Sequence, residues 1–181
     1  MAFVQLQSGK IHYEIDGPAD APVLVLSNSL GTDLHMWDPQ IASLSKSFRV
    51  LRYDTRGHGQ SQVSHGPYSI EQLGRDVLDM LDALKIERAH FCGLSMGGLI
   101  GQWLGIHAND RLHKLILCNT AAKIGGPEMW GPRIEMVEKG GEQAMKELGA
   151  GAVGRWFTPD FARDHADKVT PITDVLAATS P

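Results

Sequence analysis

The stretch FCGLSMGGL, residues 91–99, constrains this chain more than any other. It holds one serine between two glycines, Gly93-Leu94-Ser95-Met96-Gly97. A strand-like run, residues 90–94, leads into it, and a helix-like run leads out. A serine at such a junction sits on a sharp, strained turn, and the flanking glycines leave room for the backbone around it. Ser95 is therefore the candidate nucleophile. It would stand at a helix N-terminus, where the Met96 amide points toward negative charge developing on a carbonyl oxygen. The same residues also read as a glycine-rich turn without chemistry. The strand before and the helix after favour the nucleophile.

The surrounding pattern predicts the fold. Residues 3–7 and 11–16 read as a hairpin turning at Ser8-Gly9. Residues 23–27 form a short apolar run, as expected of a strand buried on both faces. A short amphipathic helix over 37–44 and a strand over 48–53 follow. The clearest helix spans 70–84, where Ile70, Leu73, Val77, Met80, Leu81 and Leu84 recur at three- and four-residue steps. Ser69 before it, with Gln72 three residues on, gives a capping-box pattern. A strand over 89–94, a helix over 96–108 and a strand over 115–118 complete an α/β alternation, which predicts a mostly parallel sheet flanked by helices. After Ala122 the texture changes. Helices are expected over 128–139 and 141–157, broken at Gly140-Gly141, and again near 160–168. The boundary is placed at Gly125-Gly126-Pro127. Residues 1–124 form the α/β part and 125–181 an appended helical segment.

Composition narrows the function. The chain has 181 residues and a net charge of −4, which gives no reason to expect a nucleic-acid partner or an anionic membrane surface. Its apolar runs are strand-length, its N-terminus lacks a secretory pattern, and Cys92 and Cys118 read as buried reduced thiols. These features point to the cytoplasm. No metal or cofactor site is expected from the spacing of His, Cys, Asp and Glu.

Two further loops carry potential chemistry. Residues 28–33, NSLGTD, leave a buried strand with Gly31 permitting an unusual backbone, so the Leu30 amide is the second candidate oxyanion donor. A plain turn is the alternative. Residues 54–61, DTRGHGQS, read as a structural loop tied by Asp54 and Arg56 through charge-assisted hydrogen bonds. His58 lies within it, between glycines, before the nucleophile in the chain and on a different turn.

These motifs, in this order, resemble the α/β-hydrolase superfamily. The text SNSLGTDLHMWDPQI, RYDTRGHGQS, GLSMGGLIGQWLG and CNTAAKIGGPEMWGPRI is most similar to the 3-oxoadipate enol-lactonases of bacterial aromatic catabolism, in the β-ketoadipate pathway. The resemblance implies an α/β-hydrolase fold with a helical cap over 125–181. It implies hydrolysis of an enol-lactone to 3-oxoadipate, without a cofactor. Ser95 would attack the lactone carbonyl, and the Leu30 and Met96 amides would hold the oxyanion. A substrate of this kind, a small lactone or ester, carries a carboxylate. Arg133 would bind that carboxylate and Trp130, three residues earlier, would wall the pocket. A surface arginine and a core tryptophan are the plainer reading of that pair. Other small-ester hydrolases, a cofactor-free perhydrolase and a non-catalytic binding module of the same fold are the alternatives.

One element of the pattern is missing. In this superfamily the triad runs serine, acid, histidine along the chain, with the last two after late strands. After Ser95 come only His107, His113 and His165, none of them on a loop following a late core strand. The expectation is that the text stops inside the cap, without its C-terminal core strands. The acid and the histidine would come from a C-terminal portion or a second chain. A minimal variant that recruits His165 is the remaining option.

Overall fold

The computed structural model describes residues 2–181. The chain forms two compact units, one ending at Ala122 and the other running Lys123–Pro181.

The first unit is built on a six-stranded sheet. Its strands are β1 (Ala2–Leu6), β2 (Gly9–Asp16), β3 (Val23–Ser27), β4 (Arg49–Tyr53), β5 (Ala89–Leu94) and β6 (Leu112–Cys118), in the order β1-β2-β4-β3-β5-β6. The hairpin strands β1 and β2 are antiparallel, and β2 lies antiparallel to β4. From β4 through β3 and β5 to β6 all pairing is parallel. The last strand begins at Leu112, three residues earlier than the apolar run suggested: Leu112 pairs with Ala89, and a register shift carries the strand past the polar His113 and Lys114 to Leu115 opposite Phe91.

Both faces of the central strands are covered. Helices α1 (Asp38–Leu44), α2 (Ile70–Ala83) and α3 (Met96–His107) lie between the strands in sequence. Alternation along β3 divides its side chains between two clusters. Val25 joins Leu51, Val77, Met80, Phe91, Ile100 and Leu104 in the larger one. Leu24 and Leu26 join Trp37 and Val50 in the other. A strand buried on both sides must read as an unbroken apolar run, as this one does. The stripe on α2 faces the larger cluster, and Ser69 caps that helix by accepting from the Gln72 amide at 3.1 Å.

The second unit is helical throughout. It contains α4 (Pro127–Trp156), α5 (Pro159–Asp164) and α6 (Ala166–Ala178). Within α4, Gly141 has φ 51° and ψ −132°, so the run is two helices meeting at a kink, where Gly140-Gly141 was expected to part them. The stretch expected over 160–168 is corrected. It breaks at His165, whose φ of −132° is not helical, and a further helix then continues to Ala178. The register of Val169, Thr173 and Leu176 supplies that helix's buried side. Met145, Ala152 and Leu176 form this unit's own core. No described helix is long and apolar enough to cross a membrane.

Candidate active site

Ser95 sits between the last residue of β5 and the first of α3, with φ 54° and ψ −110°. Positive φ is costly for a residue with a Cβ, and such strain persists only where the surroundings over-determine it. The surroundings do so here. The Ser95 amide donates to the Cys118 carbonyl at 2.9 Å. The Ser95 carbonyl accepts from the Thr120 hydroxyl at 2.9 Å and from the Leu99 amide at 3.1 Å. The turn is thus held from the end of β6 as well as from its own helix.

The glycines of the motif have specific neighbours. A Cβ on Gly93 would lie 2.1 Å from the Gly97 carbonyl oxygen. One on Gly97 would lie 2.3 Å from the Ser27 carbonyl oxygen, and one on Gly98 would lie 2.6 Å from the Thr120 side chain. The first turn of α3 therefore rests against the end of β3, and the Gly97 amide donates to the Asn28 carbonyl at 3.0 Å.

That contact sets the nucleophile turn beside the loop after β3. The Asn28 side chain donates to the Tyr53 carbonyl and accepts from the Trp37 indole N–H, both at 2.9 Å. The Ser29 carbonyl accepts from the Thr32 amide at 3.3 Å and from the Thr32 hydroxyl at 2.9 Å. The Gly31 amide donates to His58 Nε2 at 2.9 Å. The amides of Gly31, Thr32 and Gly97 are therefore all engaged. No described residue offers an acceptor to the amides of Leu30 or Met96. These are the two N–H groups that the sequence marked as oxyanion donors.

The loop 54–61 anchors this arrangement. Asp54 Oδ1 accepts from the Leu34 amide, and Oδ2 from the Gln60 amide and His12 Nδ1, each at 2.8 Å. A Cβ on Gly59 would lie 2.2 Å from Asp54 Oδ2. Arg56 pairs with Asp76 on α2 through two hydrogen bonds, at 2.8 and 2.6 Å, and reaches the Ser8 carbonyl at 2.6 Å. Asp54 and Arg56 hold the loop through charge-assisted bonds, each to its own partners.

None of the seven histidines of the α/β unit hydrogen-bonds Ser95 Oγ. His12 is spent on Asp54, and His35 on Asp38. His58 has both ring nitrogens engaged, and burial pushes its pKa down. His65 is exposed on a loop. His90 and His113 face each other with ring centroids 5.2 Å apart, and His107 stacks on Trp103 at the far end of α3. In the second unit, His165 packs on Phe161.

The cysteines differ from expectation in one respect. Both are free, but half-buried rather than buried. Their sulfurs lie 3.9 Å apart across β5 and β6. Burial, reinforced by Cys118, pushes the Cys92 thiol up to about 12. In the second unit, the Arg133 guanidinium carbon lies 5.4 Å from the Trp130 ring centroid, and the Trp130 indole donates to the Ile124 carbonyl at 2.6 Å.

A mostly parallel sheet carrying a strained serine turn between a strand and a helix has the form of a nucleophile elbow. The α/beta hydrolase fold family model matches residues 22–163, and the chain belongs to that family. It is 47% identical over 174 residues to 3-oxoadipate enol-lactonase 2 of Acinetobacter baylyi, covering 96% of this chain and 64% of that protein. It is 49% identical over 155 residues to 3-oxoadipate enol-lactonase 1 of the same organism, covering 86% of this chain and 57% of that one. The crystal structure of the enol-lactonase from Burkholderia xenovorans LB400 superposes with a TM-score of 0.94 at 50% identity, over 99% of this chain and 68% of that one. The chain thus spans under two thirds of the length of these two curated relatives.

Proposed function

We propose that the whole protein is a serine-dependent carboxylic ester hydrolase that opens 3-oxoadipate enol-lactone. The observation that carries this is Ser95 at φ 54°, in a turn whose neighbouring Leu30 and Met96 amides are left without acceptors. The choice of lactone over other esters rests on the likeness to the two Acinetobacter enzymes and to the Burkholderia structure.

The chemistry follows from those groups. Ser95 Oγ adds to the lactone carbonyl carbon, and the Leu30 and Met96 amides hold the resulting oxyanion. Collapse breaks the ring C–O bond. The enol oxygen leaves with a proton and becomes the ketone on tautomerisation, so the acyl-enzyme already carries the 3-oxo group. Water then releases 3-oxoadipate and restores Ser95. A serine hydroxyl needs a base for this work. No histidine of the α/β unit hydrogen-bonds Ser95 Oγ, so the acid and the histidine are assigned to a C-terminal portion or a second chain.

The helical segment is read as the cap. Within it Arg133 is assigned to the substrate carboxylate and Trp130 to the pocket wall. The cytoplasm is the expected compartment. Arg133→Ala should raise KM by about tenfold or more, as loss of a charged hydrogen bond does, with kcat little changed. An unchanged KM removes Arg133 from the site.

The test of the function is a substrate panel on the whole protein: the enol-lactone, an acyclic p-nitrophenyl ester, and acetate with hydrogen peroxide. The lactone should lead in kcat/KM by about a hundredfold, the scale of a few well-placed contacts. Preference for the acyclic ester, or peracid formation as the main activity, would assign the protein to another member of the fold. Tight lactone binding without turnover would make it a binding module.

A further inference from the structure

We propose that His58 is a positioning residue for the oxyanion loop. Its neutral ring accepts the Gly31 N–H and thereby fixes which amides of residues 29–32 are free for substrate. This rests on the reading of Ser95 and Leu30 given above.

The Leu30 N–H belongs to the same trans peptide as the Ser29 carbonyl and points the opposite way. Thr32 holds that carbonyl through its amide and its hydroxyl, which directs the Leu30 N–H away from Thr32. The next peptide carries the Gly31 N–H. Gly31 has φ 77°, a conformation from which a glycine can rotate its peptide plane at little cost. Nothing on the strand side holds that plane. The described partner of its N–H is His58 Nε2, at 2.9 Å. With the ring removed, the 30–31 peptide is free to turn, and the released Gly31 N–H competes with the Leu30 N–H for the same oxyanion.

The ring is built for this single task. Nδ1 lies 3.1 Å from the Arg56 carbonyl. A carbonyl only accepts, so Nδ1 carries the proton and Nε2 presents its lone pair to Gly31. Burial holds the ring neutral, against the opposing pull of the Arg56 carbonyl and the Asp54 carboxylate. The backbone beneath the ring is tied at both ends. The His58 amide donates to the Thr55 carbonyl at 2.9 Å, and the His58 carbonyl accepts from the Ser61 amide at 3.1 Å. Asp54 closes the same loop onto the Leu34 and Gln60 amides. His58 is therefore excluded as the base for Ser95 by the bonds that make it useful elsewhere.

A histidine that merely fills space would be replaced well by phenylalanine. A histidine acting as an acceptor would be replaced better by glutamine, whose amide oxygen reaches the place of Nε2. In the whole protein, His58→Phe should lower kcat for ester hydrolysis by about ten- to a hundredfold with KM within about twofold, because the oxyanion exists only beyond the ground state. His58→Gln should recover most of that loss. A His58→Phe enzyme that turns over within about twofold of wild type would overturn the proposal, as would a folded His58→Gln enzyme no better than His58→Phe. If His58→Phe does not fold, the ¹⁵N spectrum of the wild-type whole protein decides. Scalar coupling between the Gly31 nitrogen and a lone-pair-bearing His58 Nε2 upholds the clamp, and a proton on Nε2 overturns it. Absence of hydrolytic activity in the wild type would contradict the proposed function, and the same spectrum would still judge the clamp.

Discussion

Ser95 carries a backbone penalty that any side chain would share and only glycine would escape. At φ 54° a Cβ is strained, and this strain is separable from the hydroxyl's chemistry. Ser95→Gly and Ser95→Ala both remove the hydroxyl, yet only glycine relieves the backbone. The glycine variant should be more stable by about 1 kcal/mol, read from urea unfolding. Equal stabilities, or a less stable glycine variant, would mean that the turn is not strained in solution. Much of this residue was legible in the sequence, because G-x-S-x-G between a strand and a helix is a local pattern. Its supports were not. Thr120 lies 25 residues from Ser95, and His58 lies 27 from Gly31. Only the folded sheet brings such partners together, so no local spacing announced them. The sequence placed His58 on a separate turn, and there its ring nitrogens meet the Gly31 amide and the Arg56 carbonyl.

At the level of elements, the strongly patterned ones were legible to within a residue or so. Residues 23–27 and 89–94 read correctly because burial on both faces leaves an uninterrupted apolar text. The last helix escaped notice because Ala166–Ala178 buries only Val169, Thr173 and Leu176, and Pro171 lies within it. Two glycines of α4 look alike in sequence and differ in conformation. Gly131 has helical geometry with open space at its Cβ position, whereas Gly141 has φ 51° with equally open space. Gly131→Ala should therefore stabilise by about 0.5–1 kcal/mol through helix propensity. Gly141→Ala should destabilise by about 1 kcal/mol, because alanine resists that φ. Thermal unfolding of the pair checks both signs. A stabilising Gly141→Ala would mean that α4 runs straight.

On the scale of the whole molecule, a buried ion pair ties a loop of the α/β unit to one of its helices. Arg56 and Asp76 have side chains only 3% and 5% exposed, and they join the loop after β4 to α2. Removing one partner leaves the other charged and buried. Asp76→Asn should cost about 3–5 kcal/mol in equilibrium unfolding. A change below about 1 kcal/mol would show that water reaches the guanidinium. The serine turn and the loop after β3 support the proposal that Ser95 is the nucleophile, and the likeness to the enol-lactonases supports a lactone as its substrate. The most direct measurement compares the initial rate of enol-lactone opening by the whole protein before and after Ser95→Ala. The account predicts a fall of at least about a thousandfold, the scale seen when a nucleophile acting with a base is lost. A variant that keeps its rate within about tenfold of wild type would contradict it, and would move the chemistry away from the elbow altogether.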